Sequence, residues 1–342
     1  LKIVEDFARI EETKRDIVKY AELAWNKMKD VNDDIPITHD VYMKVWALNK
    51  PVLNKDYILF DEAQDANPVM LGVVLSQPSQ KIFVGDKFQQ IYGWRGAQNA
   101  MSSIKTEHSA YITQSFRFGN DIAKMANDIL HSYMAPNDRP PLMRGLETKE
   151  SQVTTIPLNL EMTDCIICRT NGGVVAQVFR CLHEDIPIYV QGGVAQMISL
   201  LKGAEDLRNG RRSYVADLAL FRSWEEVEEY SNSESGKDMK VLIKLIDTYG
   251  TQTLINALYK TCQSKHDAKI TVTTAHKSKG LEWGTVKLND DFLLPEPGTM
   301  MRQEEINILY VSATRALDVL DISECPACLP EILKLHEPFT HG

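Results

Sequence analysis

The chain has 342 residues, of which 44% are hydrophobic and 25% are charged, and its formal net charge is −9. This length allows two or more domains with a large core, and the composition excludes a disordered or low-complexity chain. No apolar run approaches the roughly 20 residues of a membrane-spanning helix. The acidic balance argues against binding DNA through bulk charge, but a local groove that stacks bases on aromatic rings remains compatible with it.

The predicted elements begin with helices, because residues 1–50 carry apolar side chains at three- and four-residue spacing. Short apolar runs then alternate with helical stretches. This alternation predicts α/β units with largely parallel sheets. The predicted strands are the runs "DYILF", "KIFVG", "SAYIT", "DCIIC", "IPIYV", "KITVTTA" and "WGTVKL".

Residues 195–266 break this rhythm, since they are charged, helical in pattern and poor in strand-like runs. We interpret them as an inserted helical subdomain. After a Pro- and Gly-bearing loop, the stretch "EEINILYVSATRA" predicts a final amphipathic helix that carries Arg315 near its end.

Three carboxylates follow the first predicted strand in "YILFDEAQD". Acidic residues after a strand are common in turns. Ligands of doubly wound sheets also bind at the carboxyl ends of strands, where one carboxylate of the pair Asp61 and Glu62 can hold Mg²⁺ and the neighbouring one can polarise an attacking water. Asp65 has no role in this interpretation beyond a helix-start or loop contact.

The second predicted strand is also followed by polar and aromatic residues, in "KIFVGDKFQQIYGWRGA". The amide of Gln89 is suited to hydrogen bonding with a γ-phosphate. Tyr92, Trp94 and Arg95 combine stacking surfaces with a cation, which suits single-stranded nucleic acid. The alternative for the two aromatic rings is ordinary core packing.

Cationic side chains follow two further predicted strands. "YITQSFRFG" ends in Phe116 and Arg117, and "ITVTTA" is followed by His276 and Lys277 in a basic, hydroxyl-bearing loop. An arginine in this position is suited to a γ-phosphate and an aromatic ring to a purine. The alternatives are an ordinary surface arginine and a structural histidine. For Arg315 they are a solvated charge or a cation favoured by the dipole at a helix C-terminus.

The cysteines offer a weaker signal. Cys165 and Cys168 lie three apart in a predicted strand and would point to opposite faces, which is poor geometry for one metal ion. Cys325 and Cys328 form "CPAC", for which a zinc or redox role competes with reduced structural thiols, the interpretation we favour.

Taken together, "DEAQD", "VGDKFQQIYGWRGA", "QSFRFG", "TAHKSKGLEW" and "LYVSATRA" resemble, in order and spacing, the motifs of UvrD/Rep-type superfamily-one DNA helicases. Within that family the chain is similar to the F-box DNA helicases, on the stretches "THDVYMKVWALNKP", "VLSQPSQKIFVGD", "ITQSFRFG" and "AHKSKGLEWGTV". The resemblance covers most of the chain, from about Thr38 to Ile322.

The resemblance implies an α/β fold of two RecA-like domains that hydrolyse ATP at their interface while stepping along single-stranded DNA, normally 3′ to 5′. It divides the chain into a helical remnant (1–50), the end of the first domain (51–112), a second domain (113–194 and 267–330), the helical insertion (195–266) and a tail (331–342). It also implies an intracellular protein with no membrane association, nuclear if it is eukaryotic and in the cytoplasm or nucleoid if it is prokaryotic or viral.

The resemblance assigns roles to the residues of each motif. Asp61 would hold Mg²⁺ and Glu62 would activate water, with Gln89, Arg117 and Arg315 on the γ-phosphate. The nucleotide contacts would be Phe116, Glu282 and Gly280, and the DNA contacts would be Tyr92, Trp94, Arg95, His276 and Lys277.

One family feature does not occur in this sequence, the phosphate-binding G-x-x-x-x-G-K-[ST] loop. We therefore expect the chain to be a C-terminal portion of a helicase that by itself hydrolyses ATP poorly. The F-box, with its ubiquitin-ligase partners, would also lie upstream, if it exists. The other expected partners are single-stranded DNA, single-strand/duplex junctions and a recombinase filament.

Two alternatives remain at this point. One is a degenerate DNA- or protein-binding scaffold that does not hydrolyse ATP. The other is the motor subunit of a recombinational helicase–nuclease, although the C-terminus shows no carboxylate–lysine cluster of a nuclease.

Overall fold

The computed structural model describes residues 2–93, 101, 104–295 and 301–336, with side chains from residue 13 onward apart from residue 234. The chain forms two compact units, Leu1–Lys105 and Thr106–Gly342. Within the described ranges, no helix combines the length and the apolar character that a membrane span requires.

The first unit holds a small parallel sheet. Its two strands pair in the register Phe60↔Phe83, so both strands end at the same level. The connecting helix begins where the Asn67 side chain accepts a hydrogen bond from the Met70 N–H (2.8 Å), with Pro68 as the first helical residue. The elements are α1 (Lys2–Lys29), α2 (His39–Leu48), β1 (Tyr57–Phe60), α3 (Pro68–Leu75) and β2 (Gln80–Phe83).

The second unit is built on six parallel strands in the order β3-β8-β7-β4-β6-β5. The strands are β3 (Gln152–Thr154), β4 (Cys165–Cys168), β5 (Ile188–Val190), β6 (Ile270–Thr274), β7 (Trp283–Leu288) and β8 (Ala316–Asp321). The helices are α4 (Asn120–Tyr133), α5 (Asn171–His183), α6 (Ala195–Arg208), α7 (Trp224–Ser231), α8 (Lys240–Tyr249), α9 (Thr251–Tyr259), α10 (Ala275–Ser278), α11 (Gln303–Ala313) and α12 (Pro330–His336).

A continuous apolar core joins the centre of this sheet to the helices of residues 195–266. All four residues of β4 are fully buried. Leu201, Trp224 and Leu254 from α6, α7 and α9 belong to the same core cluster as Ile166 of β4. The helical segment therefore shares its hydrophobic burial with the sheet instead of forming a core of its own.

The predicted α/β class with parallel sheets is confirmed, and so are six of the seven predicted strands. The strand predicted at "SAYIT" is wrong. There the backbone forms only an isolated bridge, Gln114↔Arg144, and Tyr111 and Ile112 are 72% and 87% exposed. An apolar run predicts a strand only where a neighbouring strand can take its hydrogen bonds.

Two strands were not predicted, β3 and β8. Strand β3 has only three residues, and β8 carries acidic side chains that hide its apolar pattern. Asp321 is nevertheless fully buried, because its carboxylate accepts hydrogen bonds from the N–H groups of Leu158 and Ser323, both at 2.9 Å.

The predicted final helix exists as α11, but the expectation that it is amphipathic is wrong. Every residue from Glu305 to Ala313 is buried. Glu305 is tolerated there because Arg169 donates to both of its oxygens at 2.8 and 2.7 Å. Burial by itself would lower the pKa of Arg169, but Glu305 and Asp238 raise it, so the guanidinium stays charged.

Candidate active site and nucleic-acid interface

The acidic run lies at the carboxyl end of β1, where the backbone turns sharply. The Glu62 N–H donates to Asp61 Oδ1 at 2.9 Å, and both side chains are exposed. Glu62 adopts φ of 52°, the left-handed region that non-glycine residues rarely occupy. A strained backbone of this kind persists only where the surrounding contacts hold it. Here the turn places the carboxylates of Asp61 and Glu62 together at the strand end.

Gln64 holds this turn against the end of β2. Its amide donates to Glu62 Oε2 at 2.6 Å, and its carbonyl accepts the Asp86 N–H at 3.1 Å. The approach is so close that a Cβ built on Gly85 would lie 2.4 Å from Gln64 Oε1. A glycine is therefore required at position 85 for the two strand ends to meet.

Asp86 and Gln89 form the second part of this polar group. Asp86 accepts the Phe88 N–H at 3.0 Å through one oxygen and the Gln89 amide at 3.0 Å through the other. Phe88 and Ile91 of the same segment are buried. Mg²⁺ binds carboxylate oxygens such as those of the exposed Asp61 and usually keeps several of its water ligands.

Of the three predicted DNA contacts in this segment, Tyr92 is half-buried. Trp94 and Arg95 lie outside the described residues, so their roles stay predictions.

In the second unit, two predicted nucleotide contacts form an ion pair. Arg117 Nε lies 2.9 Å from Glu282 Oε2, with 35% and 50% of the two side chains exposed. The neighbouring Phe116 is 75% exposed and presents an open ring face. An exposed ion pair of this kind contributes little to stability, so Arg117 can exchange its carboxylate partner for a phosphate at small cost.

Arg315 is placed differently, since only 1% of it is exposed. Its Nε donates to Val311 O at 2.9 Å, and two further nitrogens donate to Leu281 O (3.3 Å) and Thr314 Oγ1 (3.1 Å). The interpretation of Arg315 as a solvated charge is therefore wrong. Its bond to Leu281 fixes the loop that runs from Gly280, at φ of 80°, to Glu282.

Glu282 precedes β7 and Arg315 precedes β8, so Arg315 and the Arg117–Glu282 ion pair lie at the amino ends of the parallel strands. His276 and Lys277 follow β6 and lie at the carboxyl ends. The short helix α10 begins where Thr274 Oγ1 accepts the Lys277 N–H at 3.4 Å. The second unit thus separates its predicted nucleotide contacts from its predicted DNA contacts by the length of the sheet.

Several supporting residues escaped the sequence interpretation. Gln64 bridges the two acidic strand ends. Its position inside the motif "DEAQD" is the one sequence feature that could have indicated this role. Lys149 donates to Arg117 O at 2.9 Å and pairs with Asp318 at 3.3 Å. Nothing local in the sequence indicates that contact, because the partners are far apart along the chain.

The "CPAC" pair lies in the interior. Cys325 and Cys328 are fully buried free thiols, and Tyr133 donates to the intervening Ala327 O at 2.8 Å. Among the described residues, no three His, Cys, Asp or Glu side chains gather as metal ligands.

Comparison with known proteins adds independent observations. The UvrD/REP helicase N-terminal domain model matches residues 11–109, and the UvrD-like helicase C-terminal domain model matches residues 199–326. Together the two models match well over half of the chain.

Individual relatives agree. F-box DNA helicase 1 of Gallus gallus is 30% identical over 92% of this chain and 34% of its own length. F-box DNA helicase protein 1 of Schizosaccharomyces pombe is 32% identical over 89% of this chain and 38% of its own length. The ATP-dependent DNA helicase PcrA of Leuconostoc citreum is 31% identical over 49% of this chain and 23% of its own length.

The chain therefore spans about a third of the length of the F-box relatives that it matches. The parallel α/β units, the ordered motifs and the two domain models agree with one another. The chain belongs to the UvrD/Rep family of DNA helicases.

Proposed function

We propose that this chain is the part of an ATP-dependent DNA helicase that handles nucleotide and single-stranded DNA. The motion would run 3′ to 5′, in DNA repair or the control of recombination. The observation that carries the proposal is the polar group at the ends of β1 and β2, where Gln64 joins Glu62 to the backbone of Asp86 at 2.6 and 3.1 Å. A plain solvated turn needs no such bridge.

The chemistry of phosphoryl transfer fits these side chains. Bound Mg²⁺ would neutralise charge on the phosphates, and Asp61 is the carboxylate that would hold it. Glu62 would orient and deprotonate the attacking water. Gln89, already oriented by Asp86, would donate to the γ-phosphate.

In the second unit, Arg117 would place a cation on the transferring group, where charge develops in the transition state. Arg315 would add a second cation only by exchanging buried hydrogen bonds, such as the one to Leu281 O, for the phosphate. Phe116 offers an exposed ring for the adenine, and Glu282 with Gly280 would contact the ribose side of the nucleotide. When Arg117 leaves Glu282 for a phosphate, that carboxylate becomes available as an acceptor. Nucleotide binding would therefore reorganise this ion pair.

For DNA, we propose stacking on Tyr92 and Trp94, with Arg95, His276 and Lys277 beside the strand. Stacking is sequence-tolerant and contributes about 1–3 kcal/mol per base, which suits a protein that moves along any strand. Single-strand/duplex junctions are the natural substrate of such a motor. A recombinase filament is a further proposed partner, and ubiquitin-ligase partners are proposed only for a form with an F-box. These partners place the protein with DNA, in the nucleus of a eukaryote.

The test is steady-state ATP hydrolysis with and without single-stranded DNA. It compares the 342-residue chain with the product of the longest natural reading frame that contains it. We expect DNA-stimulated hydrolysis by the longer product and little by the chain alone. DNA binding without hydrolysis by both would favour the non-hydrolysing scaffold instead.

A further inference from the structure

Residues 144–151 form a loop that holds the backbone on both sides of an arginine proposed to meet the γ-phosphate. On the amino side, the Ser115 N–H donates to Arg144 O at 2.8 Å, and on the carboxyl side the Leu146 N–H donates to Phe118 O at 2.9 Å. These bonds join backbone to backbone. They therefore fix the path of the chain without deciding which ligand its side chains meet.

Lys149 is the side chain of this loop that reaches the arginine. Its ammonium donates to Arg117 O at 2.9 Å and lies 3.3 Å from Asp318 Oδ1. Lys149 is 28% exposed and Asp318 is 58% exposed. A hydrogen bond from a charged donor is stronger than one between neutral groups. Lys149 therefore ties the backbone of Arg117 to strand β8.

Strand β8 presents Asp318 where its register with β7 is irregular. Trp283 pairs with Ala316 and Thr285 pairs with Val319, so two steps along β7 are matched by three steps along β8. An extra residue of this kind is rare between parallel strands, and it re-aims a side chain. The extra residue lies in the stretch that carries Asp318, beside Lys149.

Arg117 is thus held differently at its two ends. Its carbonyl oxygen is held by Lys149, whereas its guanidinium forms an exposed ion pair with Glu282 at 2.9 Å. The exposed pair can exchange its carboxylate for a phosphate at small cost. A fixed backbone limits the positions that the guanidinium can reach, and a misplacement of about 1 Å can cost about 10²-fold in rate.

We propose that Lys149 is a positioning residue of the ATP site, which acts through Arg117 by tying its backbone to Asp318. This inference rests on the proposed ATP hydrolysis and adds to it a residue that does not contact the nucleotide. The Lys149–Asp318 pair stays in place while the Arg117–Glu282 pair opens to receive the phosphate.

The first experiment measures trypsin cleavage after Arg117 in the folded 342-residue chain by mass spectrometry. Phe118, on the other side of that bond, is only 3% exposed, so cleavage requires this segment to open. Lys149→Met should speed cleavage about tenfold, through loss of a charge-assisted hydrogen bond. Lys149→Arg should keep most of the protection, because its guanidinium can donate to both partners.

Lys124→Met is the matched control. It removes a lysine that pairs with Asp128 on helix α4, away from Arg117 along the chain. This variant should leave cleavage after Arg117 unchanged. Circular dichroism and thermal unfolding check that each variant is folded.

The second experiment measures ATP turnover with single-stranded DNA in the longest natural product that contains the chain. Lys149→Met should lower kcat about tenfold and change KM for ATP by less than about twofold, because Lys149 does not contact the nucleotide. Arg117→Ala should lower kcat by about 10³-fold. The double variant should lose no more than Arg117→Ala alone, since Lys149 acts through Arg117.

The outcomes separate this inference from the proposed function. If Lys149→Met leaves cleavage after Arg117 unchanged, or if Lys124→Met speeds it equally, Lys149 is not a positioning residue. Losses of turnover that add up in the double variant would show a general structural role instead. If the unchanged protein hydrolyses no ATP, the proposed function fails, and the cleavage rates still decide whether Lys149 holds Arg117.

Discussion

The two sheets of this protein use the same kind of apolar strand in different ways. Strand β1 alternates exposed and half-buried residues, with Tyr57 and Leu59 65% and 73% exposed. Every residue of β4 is fully buried. Parallel strands are normally covered on both faces, and β4 follows that rule while β1 does not. An apolar strand therefore indicates a sheet but not how much burial the sheet obtains.

The predicted site residues differ between the two units in the same way, exposed or half-buried in the first unit and supported by buried residues in the second. In the first unit, polar side chains such as Gln64 hold the acidic residues at an exposed strand end. In the second unit, Arg315 depends on a buried framework, since it lies two residues beyond the buried helix α11. We expect substitutions of the exposed acidic side chains in the first unit to impair chemistry while leaving stability intact. Substitutions in the buried framework of the second unit should impair folding.

The largest expected effect is that of Glu62→Gln on ATP turnover. Removing a general base costs about 10²–10⁴-fold in rate, while the exposed side chain contributes little to folding, within about 0.5 kcal/mol. The measurement compares turnover, ATP binding and unfolding in the form of the protein that hydrolyses ATP. Glu161→Gln, at another exposed glutamate, is the control and should change none of them. Turnover near normal would remove Glu62 from the role of base.

Next is the paired comparison of Ile166→Ala with Leu59→Ala, measured by urea unfolding of the chain. Ile166 is 0% exposed, so its truncation should cost about 2–5 kcal/mol of unfolding free energy. Leu59→Ala should change stability by less than about 0.5 kcal/mol. Similar costs at both positions would contradict the contrast between the sheets.

A smaller effect is expected where the two strand ends of the first unit meet. Gly85→Ala should destabilise by about 1–3 kcal/mol, because the new methyl group meets Gln64. It should also lower ATP turnover by displacing the partner of Glu62. Gly72→Ala is the matched control, since no atom lies within 4 Å of its added Cβ in helix α3. That change should stabilise by about 0.5–1 kcal/mol. A neutral Gly85→Ala would show that the strand ends do not need to approach.

The smallest effect concerns the thiols. Cys262 is half-buried and the other five cysteines are buried, so a thiol reagent at pH 8 should label Cys262 first.

Burial raises the pKa of the Cys181 thiol from its ordinary 9.0 to about 11. The folded state is therefore favoured below pH 9, and this contribution is lost as pH rises toward 11. Rapid labelling of all six thiols at pH 8 would show that solvent reaches the core of the second unit.

Sequence patterns predicted the local features well. Periodicity located the helices and six strands, since apolar spacing follows directly from helix and strand geometry. The motifs also indicated the family. The failures at "SAYIT" and at β8 share one cause, because strand formation depends on partners that lie far away in the sequence. The assigned roles of the site residues stay predictions until the experiments above are done.

The sequence by itself determined which residue types were available, namely the acidic strand end, the basic loop after β6 and the order of the helicase motifs. Only the tertiary structure decided how they are placed. It buried Arg315 behind Leu281, paired Arg117 with Glu282, and brought Lys277 against Gly192. The physical reason is that hydrogen bonds, ion pairs and burial join residues 34 to 165 positions apart here, beyond the reach of any local pattern.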